Sequence, residues 1–170
     1  MVLSATVPPV SQEPLPGWVQ GVRARFAPQL TALTQRTGIF ARIELKPEGL
    51  LPICQYLRDA EGFGHCASIG GIDWREEREV VYHLWSDQKK GYLELSLRVP
   101  APDAHVESVT PLWPGANYLE RETWDLVGIR FDHHPDLRRL FMPEGYEFHP
   151  LLKTFELHEP ELLEVKTRHE

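Results

Sequence analysis

Only two cysteines, Cys54 and Cys66, occur in 170 residues. They are too few and too far apart for a zinc knuckle or for ligating an iron–sulfur cluster. A disulfide between them is disfavoured in a reducing compartment, so two buried, unreactive thiols are expected. No apolar run approaches the roughly 20 residues that a bilayer-spanning helix needs. The opening MVLSATVPPVSQEPLPGW has neither the basic start nor the continuous apolar core of a signal peptide. Both absences point to the cytoplasm. Excess positive charge is also missing: the formal net charge is −7, which argues against sequence-independent nucleic-acid binding and against attraction to anionic headgroups. Fingerprints of chemistry are missing as well. No GxSxG, P-loop or dinucleotide motif occurs, and no HExxH or paired CxxC fixes a ligand geometry. Ser4 and Ser11 have no base to activate them. The chain carries no evident chemistry of its own.

What is present suits one soluble domain with a real core, since 42 % of the residues are hydrophobic and 25 % charged. Pro8, Pro9, Pro14 and Pro16 mark residues 1–16 as a mobile arm with little to bury. Residues 17–132 read as an α+β domain. Trp18, Val22, Phe26, Leu30 and Leu33 recur at helical steps and predict one helix, closed by Gly38. Ile39 to Leu45 alternates as a half-buried strand. Pro47 opens a short helix whose buried side is Leu50, Ile53 and Leu57. Cys66 to Trp74 predicts a strand interrupted at Gly70-Gly71, a bulge or a close backbone approach. Glu79–Trp85 and Tyr92–Val99 flank a polar loop as a hairpin, with Leu93, Leu95, Leu97 and Val99 on one face. Pro100, Pro102 and Pro111 fill a loop, and a last helix covers about Gly115 to Leu126. A β-like Ile129-Arg130-Phe131 segment follows. Residues 133–170 are expected to form an extended, partner-binding strap with an acidic tail. The fold class is α+β: a two-layer sandwich of helices on one mixed or antiparallel sheet, with an extended C-terminal strap and no second domain.

The run from Glu120 to Phe155 is the most informative stretch. It concentrates charges, histidines, prolines and aromatics in an order that a plain core helix does not need. His133 and His134 are adjacent and in a strand would point to opposite sides, while His149 is remote. His134-Pro135 and His149-Pro150 therefore read as rigid turn elements rather than ligands. On a helix Glu120 and Glu122 point about 200° apart and do not converge as paired catalytic carboxylates. Arg121 and Asp125 are spaced for a same-face ion pair. Glu122 shares a face with Leu119 and Leu126 and calls for a cation, from Arg138, Arg139 or a partner subunit. Trp113, Tyr118, Trp124, Phe131, Phe141, Tyr146 and Phe148 divide between core residues and an interface anchor set.

ERETWDLVGIRF (residues 120–131), followed by His134-Pro135-Asp136-Leu137-Arg138-Arg139, closely resembles the signature of the thirty-kilodalton subunit of respiratory complex I. This family includes the C-type subunit of the bacterial NADH-quinone oxidoreductase. SVTPLWPGANYL (108–119) is similar to the family's approach to that helix, and the likeness extends back to about Ile39. Two features depart from the pattern. The family's closing Pro-Leu-Arg-Lys-Asp stands here as Pro150-Leu151-Leu152-Lys153-Thr154, losing an arginine and an aspartate. Residues 142–147 are shorter and poorer in tryptophan, as in a divergent branch whose electron donor is not NADH.

The resemblance implies a cofactor-free subunit of the hydrophilic arm. It would pack against the quinone-site subunit (D type) and the iron–sulfur subunits (B and I type), supporting electron transfer to quinone coupled to ion translocation. Iron–sulfur clusters, flavin and quinone would lie in neighbouring subunits, on the cytoplasmic side of the membrane and without direct insertion. The residues that carry the signature, and the expected partner interface, are Glu120, Arg121, Glu122, Asp125, Gly128, His134, Pro135, Leu137, Arg138, Arg139, His149, Pro150 and Lys153. None is expected to be catalytic, cofactor-binding or metal-ligating. The rival readings are the equivalent subunit of an F420H2 dehydrogenase or membrane-bound hydrogenase, a stand-alone metal hydrolase using His133, His134 and His149, and a binding module unrelated to respiration.

Overall fold

The computed structural model describes residues 16–36 and 40–156. Helix α1 (Gly17–Phe26) is shorter than its apolar stripe predicts. Ala27–Gln29 tightens into a 3-10 turn, and Leu30–Arg36 is a strand, β1. The cause is Pro28, which has no N–H for the helical ladder and whose ring clashes with the preceding turn. Leu30 and Leu33 thus belong to the sheet rather than to the helix. Gly38, the expected helix end, lies outside the described residues, as do almost all of the N-terminal arm and residues 157–170 of the acidic tail.

Strand β2 (Phe40–Leu45) runs antiparallel to β1. A 3-10 turn at Pro47–Gly49 leads into α2 (Leu50–Asp59), whose Leu50, Ile53 and Leu57 are buried as the spacing predicts. Then come β3 (His65–Asp73), β4 (Glu77–Ser86) and β5 (Gly91–Pro100). The strand order is β1-β2-β5-β4-β3, with β2 parallel to β5 and every other neighbour antiparallel. This is the expected mixed sheet. Ala41, Ile43 and Leu45 of β2 pair across to Leu93, Leu95 and Leu97 of β5, and those to Leu84, Tyr82 and Val80 of β4. Together with Val19 and Val22 of α1 and Leu50, Ile53 and Leu57 of α2 they form the core. Cys54 and Cys66 are free and buried within it. Burial pushes both thiols up, Cys66 to about 12, so both stay protonated.

The opposite sheet face is charged. Arg42 reaches Glu44, Glu79 and Glu94 at 3.1, 2.6 and 2.5 Å, and the Trp74 indole N–H donates to Glu79 at 2.8 Å. β3 is continuous through Gly70-Gly71, and its register shift falls between Cys66 and Ser68. Gly71 is instead the close approach: a β-carbon there would meet Cγ2 of Thr123 at 3.0 Å.

The proline-rich loop contains more structure than its composition suggests. Ala101–Asp103 forms a 3-10 turn, and His105–Glu107 is a short strand, β6. Helix α3 (Ala116–Val127) packs on β3 with Ala116, Glu120, Thr123 and Val127 turned inward at three- and four-residue steps. Gly128 closes it in the left-handed region at φ 75°, its N–H bonded to Trp124 O at 2.8 Å. Arg130–Asp132 is strand β7, parallel to β6 in a small second sheet. From 133 to 156 the described chain makes turns and bends but no helix or strand, the expected strap.

Candidate functional site

The strap lies along α3, and the signature residues hold it there. At the first corner, the buried Glu120 accepts the Val109 N–H through Oε1 (2.7 Å) and the Ser108 hydroxyl through Oε2 (2.6 Å). Burial pushes this carboxyl up to about 7, although the two bonds pull the other way. The His134 ring is fully enclosed, with Nε2 3.9 Å from Glu120 Oε2. Its Nδ1 accepts the Asp136 N–H at 3.0 Å, so Nε2 carries the proton and donates to Asn117 O at 3.2 Å. Burial lowers the His134 pKa, and this imidazole is neutral at pH 7.

Further along, Arg121 and Asp125 do not form the expected ion pair. Each turns to the strap backbone, whose unpaired polar groups need partners. Arg121 donates to Arg138 O and Arg139 O, both at 3.1 Å, with its guanidinium 5.4 Å from the centre of the Tyr118 ring. Asp125 Oδ2 accepts three consecutive amides, Leu140 (2.9 Å), Phe141 (2.6 Å) and Met142 (3.0 Å). Its Oδ1 accepts Arg139 Nη1 at 2.8 Å. Burial alone would raise the Asp125 pKa, but Arg139 and the three amides outweigh it and hold the group down to about 2. Arg139 also donates to the carbonyls of Asp125, Phe148 and Tyr146, with its guanidinium over the Trp124 ring at 5.1 Å. It is therefore no partner of Glu122, which turns away, half-buried, and makes no hydrogen bond or ion pair among the described residues.

At the far end, His149 donates Nδ1–H to Asp125 O at 2.9 Å and rests against Gly128. Leu151 N–H bonds Leu126 O at 2.9 Å, just past Pro150. Lys153 N–H bonds Asp73 Oδ2 at 2.7 Å, and its ammonium lies 5.3 Å from the Trp74 ring centre. Leu137 packs against the core edge, while Pro135 and Arg138 face solvent, Arg138 pairing with Asp136 at 3.0 Å. The signature thus divides. Glu120, Arg121, Asp125, Gly128, His134, Arg139 and His149 are spent within the chain, and Glu122, Pro135 and Arg138 face outward or sit half-buried.

Ser108 and Trp124, which lie inside the quoted stretches with no tie to the strap predicted for them, also build this arrangement, as do Asp73 and Trp74, which no quoted motif includes. Asp73 and Lys153 are 80 residues apart, so no local spacing signals their contact. Three large apolar side chains of the strap stand in solvent: Phe141, Phe148 and Leu151 are each 59–60 % exposed, among exposed charges at Asp136, Arg138, Glu144 and Glu147. Phe148 touches the rings of Tyr146 (5.7 Å) and Phe155 (6.4 Å). His133 bonds Glu107 at 2.8 Å, so His133, His134 and His149 have three separate sets of partners. No group of three or more His, Cys, Asp or Glu among the described residues is placed to hold a metal ion.

Residues 43–161 match the family described as "Respiratory-chain NADH dehydrogenase, 30 Kd subunit". Over 125 residues the chain is 36 % identical to the C-type subunit of NADH-quinone oxidoreductase from Geobacter sulfurreducens, covering 71 % of this chain and 77 % of that protein. Among solved structures, a trypsin-resistant fragment (1–134) of Nqo5 is 30 % identical with a TM-score of 0.60, covering 71 % of this chain and 96 % of the fragment. A chain of an archaeal respiratory membrane complex, the membrane-bound sulfane sulfur reductase, superposes with a TM-score of 0.70 over 82 % of this chain and 84 % of its own. At 22 % identity that likeness speaks for the fold alone.

Proposed function

The chain belongs to the family of the respiratory-chain NADH dehydrogenase 30 Kd subunit, and from that premise we propose that it is a cofactor-free structural subunit of the hydrophilic arm of an NADH-quinone oxidoreductase. Its partners in this reading are the quinone-site subunit and the neighbouring iron–sulfur subunits. They carry the clusters, flavin and quinone, on the cytoplasmic side of the membrane. The reading rests chiefly on one observation: backbone polar groups of the strap are tied down by Asp125 of α3 and by Arg139, while the Phe141 and Phe148 side chains stay exposed. Exposed aromatic side chains standing among charged residues suit a protein partner better than a small-molecule substrate.

The role is positional. Electron transfer and quinone chemistry depend on how neighbouring subunits are held, and this chain helps to hold them. The buried ionisable groups of the signature are engaged as structural ties, and Glu120 has its two oxygens occupied by Ser108 and Val109. The metal-hydrolase reading finds no support in histidines with separate partners. No helix among the described residues is long and apolar enough to cross a membrane, which suits a peripheral place in the complex.

The test is recovery of the tagged chain from detergent-solubilised membranes, with mass spectrometry and iron analysis of what accompanies it. An iron–sulfur, quinone-site assembly is expected, and its electron-input subunits would identify the donor as NADH, F420H2 or another. A chain recovered alone, soluble and with bound metal, would sink the subunit reading.

A further inference from the structure

We infer that the docking face of the strap is already formed in the free chain, set by a clasp in which the Asp125 carboxylate and the Arg139 guanidinium grip opposite ends of one loop. The chain then docks as a preformed surface rather than folding onto its partner. This rests on the subunit reading for what docks, but not for whether the clasp forms.

A C-terminal segment without helix or strand ordinarily leaves its backbone polar groups to water and gains order only against a partner. Here the groups at both ends of the loop find partners within the chain. Three successive amides, 140 to 142, converge on a single carboxylate oxygen of Asp125, the arrangement of an anion-binding nest. At the other end, Arg139 accepts no substitute geometry: its planar fork reaches the carbonyls of Tyr146 and Phe148 and the Asp125 carboxylate together. Arg121 takes the carbonyls of Arg138 and Arg139 themselves. Trp124 lies beneath the Arg139 guanidinium, which is only 12 % exposed.

The two most outward rings of the loop sit on residues whose own backbone is clasped. Phe141 gives its N–H to Asp125, and Phe148 gives its carbonyl to Arg139, while both side chains remain exposed. A pinned backbone under a free aromatic side chain is how a preorganised anchor is built, because the ordering cost is met before the partner arrives. The segment's exit is held as well, by Leu151 on Leu126 and Lys153 on Asp73.

Amide hydrogen exchange on the full chain alone tests this. In the wild type, amides 140–142 should exchange at least about tenfold more slowly than in Asp125→Asn, with β4 and β5 amides equal in both. Arg139→Lys, which keeps the charge and loses the fork, should release the same loop and serves if Asp125→Asn fails to fold. Wild-type amides 140–142 exchanging as an unstructured chain, or protection unchanged in both variants, would overturn the inference. Membrane recovery separates the two readings. A protected loop in a chain that recovers no complex supports the clasp and sinks the subunit role. An unprotected loop in a chain that does recover its complex sinks the clasp and leaves the subunit role standing.

Discussion

Gly128 and His149 are packed so closely that a β-carbon on the glycine would lie 2.6 Å from Cδ2 of the imidazole. Two demands therefore fall on one residue. Gly128 must adopt φ 75° to close α3, and it must leave room for the ring that returns from the strap. Gly128→Ala meets both penalties, the left-handed backbone and the clash, and should cost about 2–4 kcal/mol. Chemical denaturation would measure it. A loss under about 0.5 kcal/mol would mean that the strap yields at no cost and that His149 is not a fixed part of the fold.

Asp125 predicts a specific acid sensitivity. Its carboxyl is held down to about 2, against an ordinary 3.8, by Arg139 and the amides of Leu140, Phe141 and Met142 acting against its burial. A depressed folded-state pKa contributes stability that is present above 3.8 and lost as pH falls through about 2. The stability gap between wild type and Asp125→Asn should therefore be full at pH 5 and shrink by about 2 kcal/mol on going to pH 2. A gap independent of pH would show that Asp125 does not titrate differently in the fold.

Much of this fold is legible in the sequence because its signals are local. The alternation from Tyr92 to Val99, the Leu50-Ile53-Leu57 stripe and the glycine after Val127 each mark an element by spacing alone. Pro28 is equally local, but a stripe of apolar residues running through it mimics one long helix, and only the missing N–H separates the two. β6 is three residues long and exists because β7 pairs with it, a partner some two dozen residues ahead. In the candidate site, the resemblance singles out residues but does not say which way they face. Arg121 and Asp125 have ideal spacing for each other, yet strap carbonyls and amides compete successfully for both. That competition depends on a chain returning from far along the sequence, which no window of α3 contains.

Glu120 gives a second pH dependence, of opposite sign. Burial raises its carboxyl from 4.5 to about 7, so the fold favours the protonated form. The stability this contributes is fully present below 4.5 and is lost as pH rises through about 7. The groups around it are the neutral His134 imidazole from the strap, Ser108 and Val109 from the loop before α3, and the protonated Cys54, Cys66 and Tyr82 from the core. None supplies a positive charge at pH 8. Glu120→Gln keeps the shape and removes the titration, so wild type should fall behind it by on the order of 3 kcal/mol between pH 5 and 8. Parallel stability curves for the two proteins over that range would mean that a counter-charge or solvent reaches the site.

The outward residues carry the prediction about assembly. Among the described residues, Arg138 is 68 % exposed with one ion pair, to Asp136 two positions before it, and Glu122 makes no tie. Removing either side chain should leave the isolated protein within about 0.5 kcal/mol of wild-type stability, as for surface positions generally. Phe148→Ser should do nearly the same, because its ring is 60 % exposed and meets only the rings of Tyr146 and Phe155 among the described aromatics, while the carbonyl that Arg139 holds is kept. In the assembled complex the expectation reverses: Arg138→Ala, Glu122→Ala and above all Phe148→Ser should lower recovery of partner subunits from membranes. Aromatic and arginine side chains at the centre of an interface commonly account for ≥ ~2 kcal/mol each, a thirtyfold weakening or so. Turnover per assembled complex should stay unchanged, since none of these groups is asked to do chemistry. Quinone reductase activity normalised to iron content reads this directly. A variant complex with full subunit and iron content but lost turnover would refute the positional role.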